Sequence, residues 1–151
     1  MPTPQTQEAL YQALKTMVQA TIEHSKELAK DLGEFPRISW VKEYRIVKFG
    51  VGRRMGHSTM AMRLCREMAP DRSLFLAHNL EQVRQIQDFS NRVLVKSNPK
   101  FVAYNWREYT HSQPLEMVVI DCASFISDAT LDHVILTLAA HKHDPIYVLM
   151  Q

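Results

Sequence analysis

Eight consecutive residues have the types and spacing to handle an anion: Gly52, Arg53, Arg54, Met55, Gly56, His57, Ser58 and Thr59. They follow the apolar run Ile46 to Phe49 and open a helical pattern that runs from Ser58 to Met68. Glycines let a backbone curl until successive N–H groups point inward, and a helix that starts there adds its own N–H groups and the positive end of its dipole. The usual form of such a phosphate-binding loop is G-x-x-x-x-G-K-[ST]. Aligned on Gly56, the hydroxyl is present at Ser58, the first glycine is displaced by one position to Gly52, and His57 stands where the lysine should be. A neutral imidazole gives the phosphates no fixed charge, whereas a protonated one does, and a bound anion favours protonation.

A second stretch answers the first. Met117, Val118, Val119 and Ile120 form an apolar run that ends in Asp121, followed by Cys122. A carboxylate at the end of a buried strand, beside a phosphate loop, is placed to hold the water shell of a Mg²⁺ ion. The expectation is that this strand lies beside the loop strand. Basic residues gather at Arg45, Lys48, Arg53 and Arg54. Two arginines inside a glycine turn favour an anion site over a merely solvated surface. His141-Lys142-His143-Asp144 reads as cationic side chains at a helix C-terminus rather than as a metal site.

These residues need a scaffold of strands and helices to hold them. Apolar pairs from Ala9 to Leu32 predict a long amphipathic helix after a frayed end at residues 1–6, stopped by Gly33 and Pro36 and covering the core. A linker from Phe35 to Tyr44 leads to a strand over 45–49. The loop helix carries a stripe of Met60, Leu64 and Met68 and ends at Pro70. Ser73 to Ala77 reads as a buried strand, and Asn79 as the cap of a helix with an inward stripe of Leu80, Val83, Ile86 and Phe89. Short strands are expected at 92–95 and 101–104. After the acidic strand, Ser127 or Asp128 caps a helix with Leu131, Val134, Ile135 and Leu138 facing inward. A last strand covers 146–150. Strands alternating with helices predict an α/β fold, a mostly parallel sheet flanked by helices, with the first helix as an extra element. The divisions are 1–40, the first helix and linker, and 41–151, the core, within one compact domain.

Composition narrows the setting. A net charge of +2 creates no field that demands a nucleic acid or a membrane. The two cysteines, Cys65 and Cys122, lie in apolar surroundings and read as buried thiols in a reducing compartment. The polar N-terminus lacks a secretory core, and no apolar run approaches the roughly 20 residues that span a bilayer. The expectation is a cytoplasmic protein with no membrane association.

In order, the chain reads strand, phosphate loop, helix, strand, helix, strands, acidic strand end, helix, strand. That order resembles the P-loop nucleoside-triphosphatase core, and in particular the ATPase domain of phage terminase large subunits, the motors that package DNA. Val51 to Thr59 is similar to their arginine-bearing loop, Met117 to Ile126 to their acidic strand and turn, and Leu74 to Asn79 with the Val83 helix to their second strand and helix. The resemblance covers 41–151. It implies ATP or GTP with Mg²⁺ as ligand, backbone from Gly52 to Gly56 around the phosphates, Ser58 or Thr59 on the metal, and Asp121 holding the metal through water. Arg53 or Arg54 would act on the transferring phosphoryl group, in a viral nucleic-acid or assembly process in the host cytoplasm.

The departures from that family matter equally. His57 replaces its lysine, and Cys122 replaces the glutamate that polarises the attacking water. Single losses of such groups cost about 10²–10³ in rate, so hydrolysis is expected to be weak or absent. The length also leaves no room for a nuclease domain. The competing reading is a catalytically dead protein of the same fold that binds a host protein or nucleic acid, with Tyr104, Trp106 and Tyr109 as stacking residues or, more plainly, as partly buried loop aromatics. Gly50, Gly52 and Gly56 also suggest a dinucleotide fingerprint, but the second strand ends at Ala77-His78-Asn79 without the acid that would bind a ribose. Packing of the first helix on a neighbouring subunit, giving a homo-oligomer, is the less favoured alternative to its covering the core.

Overall fold

The computed structural model describes residues 3–31, 36–50, 56–86, 92–97, 115–138 and 145–151. Its elements in chain order are α1 (Pro4–Ala29), α2 (Arg37–Tyr44), β1 (Ile46–Phe49), α3 (His57–Met68), β2 (Ser73–Ala77), α4 (Leu80–Ile86), β3 (Leu94–Ser97), β4 (Met117–Ile120), a single 3₁₀ turn (Ala123–Phe125), α5 (Asp128–Leu138) and β5 (Ile146–Met150). The five strands form one parallel sheet in the order β1-β5-β4-β2-β3. The protein is therefore α/β with a parallel sheet flanked by helices, as the alternation of elements predicts.

The period-2 geometry of strands sorts the core into two layers. Val47 and Phe49, Phe75 and Ala77, Met117 and Val119, and Ile146, Val148 and Met150 face α1, α3 and α4. Leu74 and Leu76, Val118 and Ile120, and Tyr147 and Leu149 face the other way, toward Val41 of α2 and toward Leu131, Val134, Ile135 and Leu138 of α5. Every residue of β2, β4 and β5 is buried, because helices cover both faces of the inner strands, and this is why those segments read as unbroken apolar runs. Lys48 interrupts β1 and Lys96 interrupts β3, the outermost described strands, where a charged side chain can reach water.

Several sequence expectations need correction. The acidic strand does not pair with the loop strand: β5 lies between β1 and β4. Residues 3–6 are not frayed. Thr3 caps α1, its hydroxyl accepting from the Thr6 N–H at 3.1 Å, and Pro4 sits at the first helical position, where its missing N–H costs nothing. The expected linker before β1 is helical from Arg37 to Tyr44, with Val41 fully buried and Trp40 packed on Tyr44 at 5.1 Å. Leu80 does not face the core; it is 60% exposed, while Val83 and Ile86 pack inward. The strand expected at 92–95 runs from Leu94 to Ser97. Gly33, Phe35 and Phe89, the strand expected at 101–104, the aromatics Tyr104, Trp106 and Tyr109, and the run 141–144 lie outside the described residues.

Helix α1 covers the sheet as expected. Tyr11, Leu14 and Val18 are buried against β1, β5 and α3. Burying such side chains is worth about 1.5–3 kcal/mol each. That outweighs the exposed ion pairs that join α1 to α3, Arg63 with Glu8 and Lys15 with Glu67, since surface pairs contribute about 0.2–1 kcal/mol. No described helix is long and apolar enough to cross a membrane.

Candidate functional site at the carboxyl ends of the strands

All described strands are parallel, so their carboxyl ends share one edge of the sheet. From β1 the chain crosses to β2, moves outward to β3, then returns through β4 to β5. The helices after the neighbouring strands β2 and β4 consequently lie on opposite faces, α4 on one and α5 on the other. A crevice opens outside the carboxyl ends where the direction of winding reverses, the usual ligand position in open α/β sheets.

The residues that reach this crevice come from four segments: the start of α3, α4, the end of β4 and the residue after β5. Gly56 is the N-cap of α3 with φ 78° and ψ 30°. That left-handed conformation is unstrained only for glycine, and a Cβ there would have ordinary room, 3.5 Å from the Gln7 amide nitrogen. Its carbonyl accepts from the Met60 N–H at 2.9 Å, which starts the helix. Glycine has no side chain to cap the first turn of α3.

Asp121 immediately follows β4 and is only 4% exposed. Its N–H is tied to the Leu76 carbonyl of β2 at 3.0 Å, which fixes its backbone to the sheet. Oδ1 accepts from the Cys122 N–H at 3.0 Å. Oδ2 accepts from the Ser58 hydroxyl at 2.5 Å and from the Gln82 amide nitrogen at 2.5 Å. Loop helix and acidic strand end therefore meet, although β5 separates their strands. Two strand spacings amount to about 9.6 Å, and the first turn of α3 spans that gap by leaning across the end of β5, whose neighbour Gln151 also lines the crevice. At this rim Gly50 passes so close to Gln151 that a Cβ on it would lie 2.9 Å from the Gln151 Cβ. Glycine is required there by contact rather than by backbone angle.

Of the two hydroxyls, Ser58 turns toward Asp121. Thr59 is exposed and also lines a second groove, between α1 and α3, with Glu8, Tyr11 and Arg63. His57 is half-buried in the same wall, its ring edge-on to Phe49 at 6.2 Å. Cys122 adopts φ 51°, a left-handed conformation uncommon for a residue with a side chain. Cys122 is half-buried rather than buried as expected; burial, and then the Asp121 carboxylate beside it, push the thiol above its ordinary range. Gly52, Arg53, Arg54 and Met55 lie outside the described residues. Arg45, grouped with them in sequence, sits at the opposite end of β1 and donates to the Ser25 hydroxyl of α1 at 2.8 Å, so it belongs to the scaffold. Lys48 is exposed on β1.

Together Gly56, His57, Ser58, Gln82, Asp121 and Cys122 line a cleft of about 280 Å³. No match to this chain is found among protein-family models, curated proteins or solved structures.

The pair Ser58 and Asp121 fits a small hard cation. Mg²⁺ takes oxygen ligands at about 2.0–2.1 Å in octahedral geometry, which places neighbouring ligand oxygens about 2.9 Å apart. The two side-chain oxygens stand 2.5 Å apart and need to separate by only a few tenths of an ångström. Among the described residues no three His, Cys, Asp or Glu side chains converge on a point. A cation here would take its remaining ligands from water and phosphate, as Mg²⁺ commonly does.

Gln82 is the residue that sequence reasoning missed. Its signal was the spacing Asn79-x-x-Gln82, a capping-box pattern. Asn79 does cap α4, accepting from the Gln82 N–H at 2.8 Å, while the Gln82 Oε1 accepts from the His78 N–H at 2.5 Å. The pattern explains the cap, but gives no sign that the other end of the amide reaches Asp121.

Proposed function

We propose that this chain is a P-loop nucleotide-binding protein, similar in its core to terminase-type ATPases, that binds a nucleoside triphosphate with Mg²⁺ and turns it over slowly or not at all. One observation carries the reading. Ser58, in the first turn after the glycine and directly after the stretch of the sequence with phosphate-loop spacing, bonds to Asp121 at the end of a different strand. A hydroxyl and a carboxylate so disposed have no need of each other for packing, but they are what a cation bridging to phosphates requires.

The roles follow from position. Gly56 turns the chain so that the first-turn N–H groups of α3 meet phosphate oxygens. Ser58 and Asp121 hold the cation, which when bound neutralises phosphate charge. His57 occupies the wall beside them and adds positive charge when protonated. Arg53 and Arg54 are assigned to the transferring phosphoryl group by the resemblance alone. Cys122 occupies the position of the water-activating carboxylate, and with its thiol held protonated at neutral pH it cannot accept a proton from water. This favours weak hydrolysis, and with it the second reading, a binding protein that kept the fold and lost the reaction. The biological setting, a viral nucleic-acid or assembly process with a nucleic acid or a viral or host protein as partner, is likewise taken from the resemblance.

Isothermal titration with a non-hydrolysable ATP analogue tests the reading. Magnesium-dependent binding is expected in the wild type, and its loss in Gly56→Arg and in Asp121→Ala. Absence of binding to ATP and GTP analogues alike would refute it.

A further inference from the structure

Three atoms in the cleft form a closed triangle. Ser58 Oγ to Asp121 Oδ2 is 2.5 Å, Asp121 Oδ2 to Gln82 Nε2 is 2.5 Å, and Gln82 Nε2 to Ser58 Oγ is 3.1 Å. The orientation of the amide is fixed from its other end, because Oε1 accepts from the His78 N–H at 2.5 Å and must be the oxygen. The nitrogen therefore directs its hydrogens at both oxygens. A hydroxyl has one hydrogen and two lone pairs, and a carboxylate oxygen accepts about two bonds. Ser58 spends its hydrogen on Asp121 and one lone pair on Gln82. Asp121 Oδ2 spends both acceptor directions on Ser58 and Gln82. The pair that suits a cation has its lone pairs turned onto one amide nitrogen.

Resting on the nucleotide reading above, we propose that Gln82 is a displaceable latch: its amide nitrogen holds the seat of the divalent cation between Ser58 and Asp121 and must leave before the cation can bind there. A neutral N–H donor and a divalent cation both seek oxygen lone pairs, and they cannot share this notch. Gln82 is a positioning residue in this scheme, acting on Ser58 and Asp121 rather than on the nucleotide.

The latch is not an isolated side chain. Gln82 lies in the first turn of α4, with its N–H on the Asn79 cap and its Oε1 on the His78 N–H. Withdrawing the amide from Asp121 thus loads the turn between β2 and α4. The His78 ring at that turn packs on Phe125 at 5.4 Å, and Phe125 is 66% exposed on the 3₁₀ turn after Asp121. Cation binding at the buried carboxylate is connected to the protein surface through one side chain and one ring contact.

The test compares nucleotide affinity with and without magnesium, using the full chain and a non-hydrolysable ATP analogue in titration calorimetry. Wild type, Gln82→Ala and Gln82→Met are compared; the methionine keeps the side-chain length, lacks the donor, and decides wherever the two variants differ or the alanine fails to fold. A lost hydrogen bond to a charged group corresponds to a change on the order of 10-fold. The ratio of magnesium-containing to magnesium-free affinity is expected to rise by about that factor in the variants. A residue that merely supported the fold would lower both affinities and leave the ratio alone. A ratio that is unchanged or smaller, with magnesium-dependent binding intact in the wild type, overturns the latch and leaves the nucleotide reading standing. Magnesium-dependent binding that appears only in the variants supports the latch in its strongest form. No magnesium-dependent binding in any of the three proteins overturns the nucleotide reading and the latch with it.

Discussion

Pairing Ser58 with Asp121 commits the protein to a measurable coupling. Ser58→Ala removes a donor that lies 2.5 Å from Asp121 Oδ2, but leaves that carboxylate with the Gln82 amide and the Cys122 N–H. Asp121→Ala removes the shared acceptor, and with it the cost of burying a carboxylate that is 4% exposed. The two effects on burial differ in sign, so neither single variant measures the bond. The double-mutant cycle does, because everything not shared cancels. A hydrogen bond to an ionised group is worth about 1.5–3 kcal/mol. Gln82 bonds to both partners and refills part of each loss, so the expected coupling is near the lower end, about 1.5 kcal/mol. Urea unfolding of the wild type, both single variants and the double variant at pH 7 gives the four free energies. Additivity within about 0.5 kcal/mol would mean that the first turn of α3 and the end of β4 do not meet in solution. The cation seat, the latch and the nucleotide reading would all lose their geometric basis.

Two further outcomes follow from the same structure. Gly56→Ala is expected to cost about 1–2 kcal/mol of stability through the left-handed backbone, since among the described residues its Cβ meets nothing closer than 3.5 Å; Gly56→Asn, which tolerates that conformation, costs less in the same denaturation assay. The α1–α3 contact is acid-sensitive: hydrogen bonding to Arg63 and Gln12 draws the Glu8 carboxyl down from 4.5 to about 2, and the Tyr11 hydroxyl, then Arg63, draw Glu67 in the same direction. A depressed carboxyl stabilises the fold above its unfolded value and loses that contribution as pH falls through the folded one. The melting temperature should therefore drop between pH 4.5 and about 2, less steeply in Arg63→Ala and less steeply in 1 M salt, because these groups are exposed and screened. An acid limb of equal slope in wild type and variant would show that the pair contributes nothing.

Much of this fold is legible in the sequence, for identifiable reasons. β2, β4 and β5 carry unbroken apolar runs because both sheet faces are covered. The stripe of Leu131, Val134, Ile135 and Leu138 faces the core as its spacing demands, and Ser127 caps its helix with a bond from the Thr130 N–H at 3.2 Å. Helix α2 was hidden because it has eight residues and little amphipathic period, and owes its helical state to Val41 entering the core. The order of strands was hidden for a deeper reason. Parallel strands joined by helices leave no turn signal that records which strand becomes the neighbour, so β5 between β1 and β4 could not be read. At the site, the sequence singles out Ser58 and Asp121, and the structure brings them together, whereas Gln82 was not legible: its partner is 39 residues away and the local pattern already accounts for it as a cap.

The central place of β5 has a consequence for synthesis. β1 emerges from the ribosome early, yet the strand it pairs with is Ile146–Met150, about a hundred residues later by numbering. Until then β1 has no described partner in the sheet, and β4 has only β2. The nascent chain must carry Val47 and Phe49 without their sheet, which exposes it to mispairing, as non-local parallel sheets generally are. Helix α1, made before β1, can shelter those side chains, since Tyr11, Leu14 and Val18 belong to the same cluster. Insertion of β5 then joins β1 to β4, so the Ser58–Asp121 contact, which reaches across β5, depends on a strand made long after either β1 or α3.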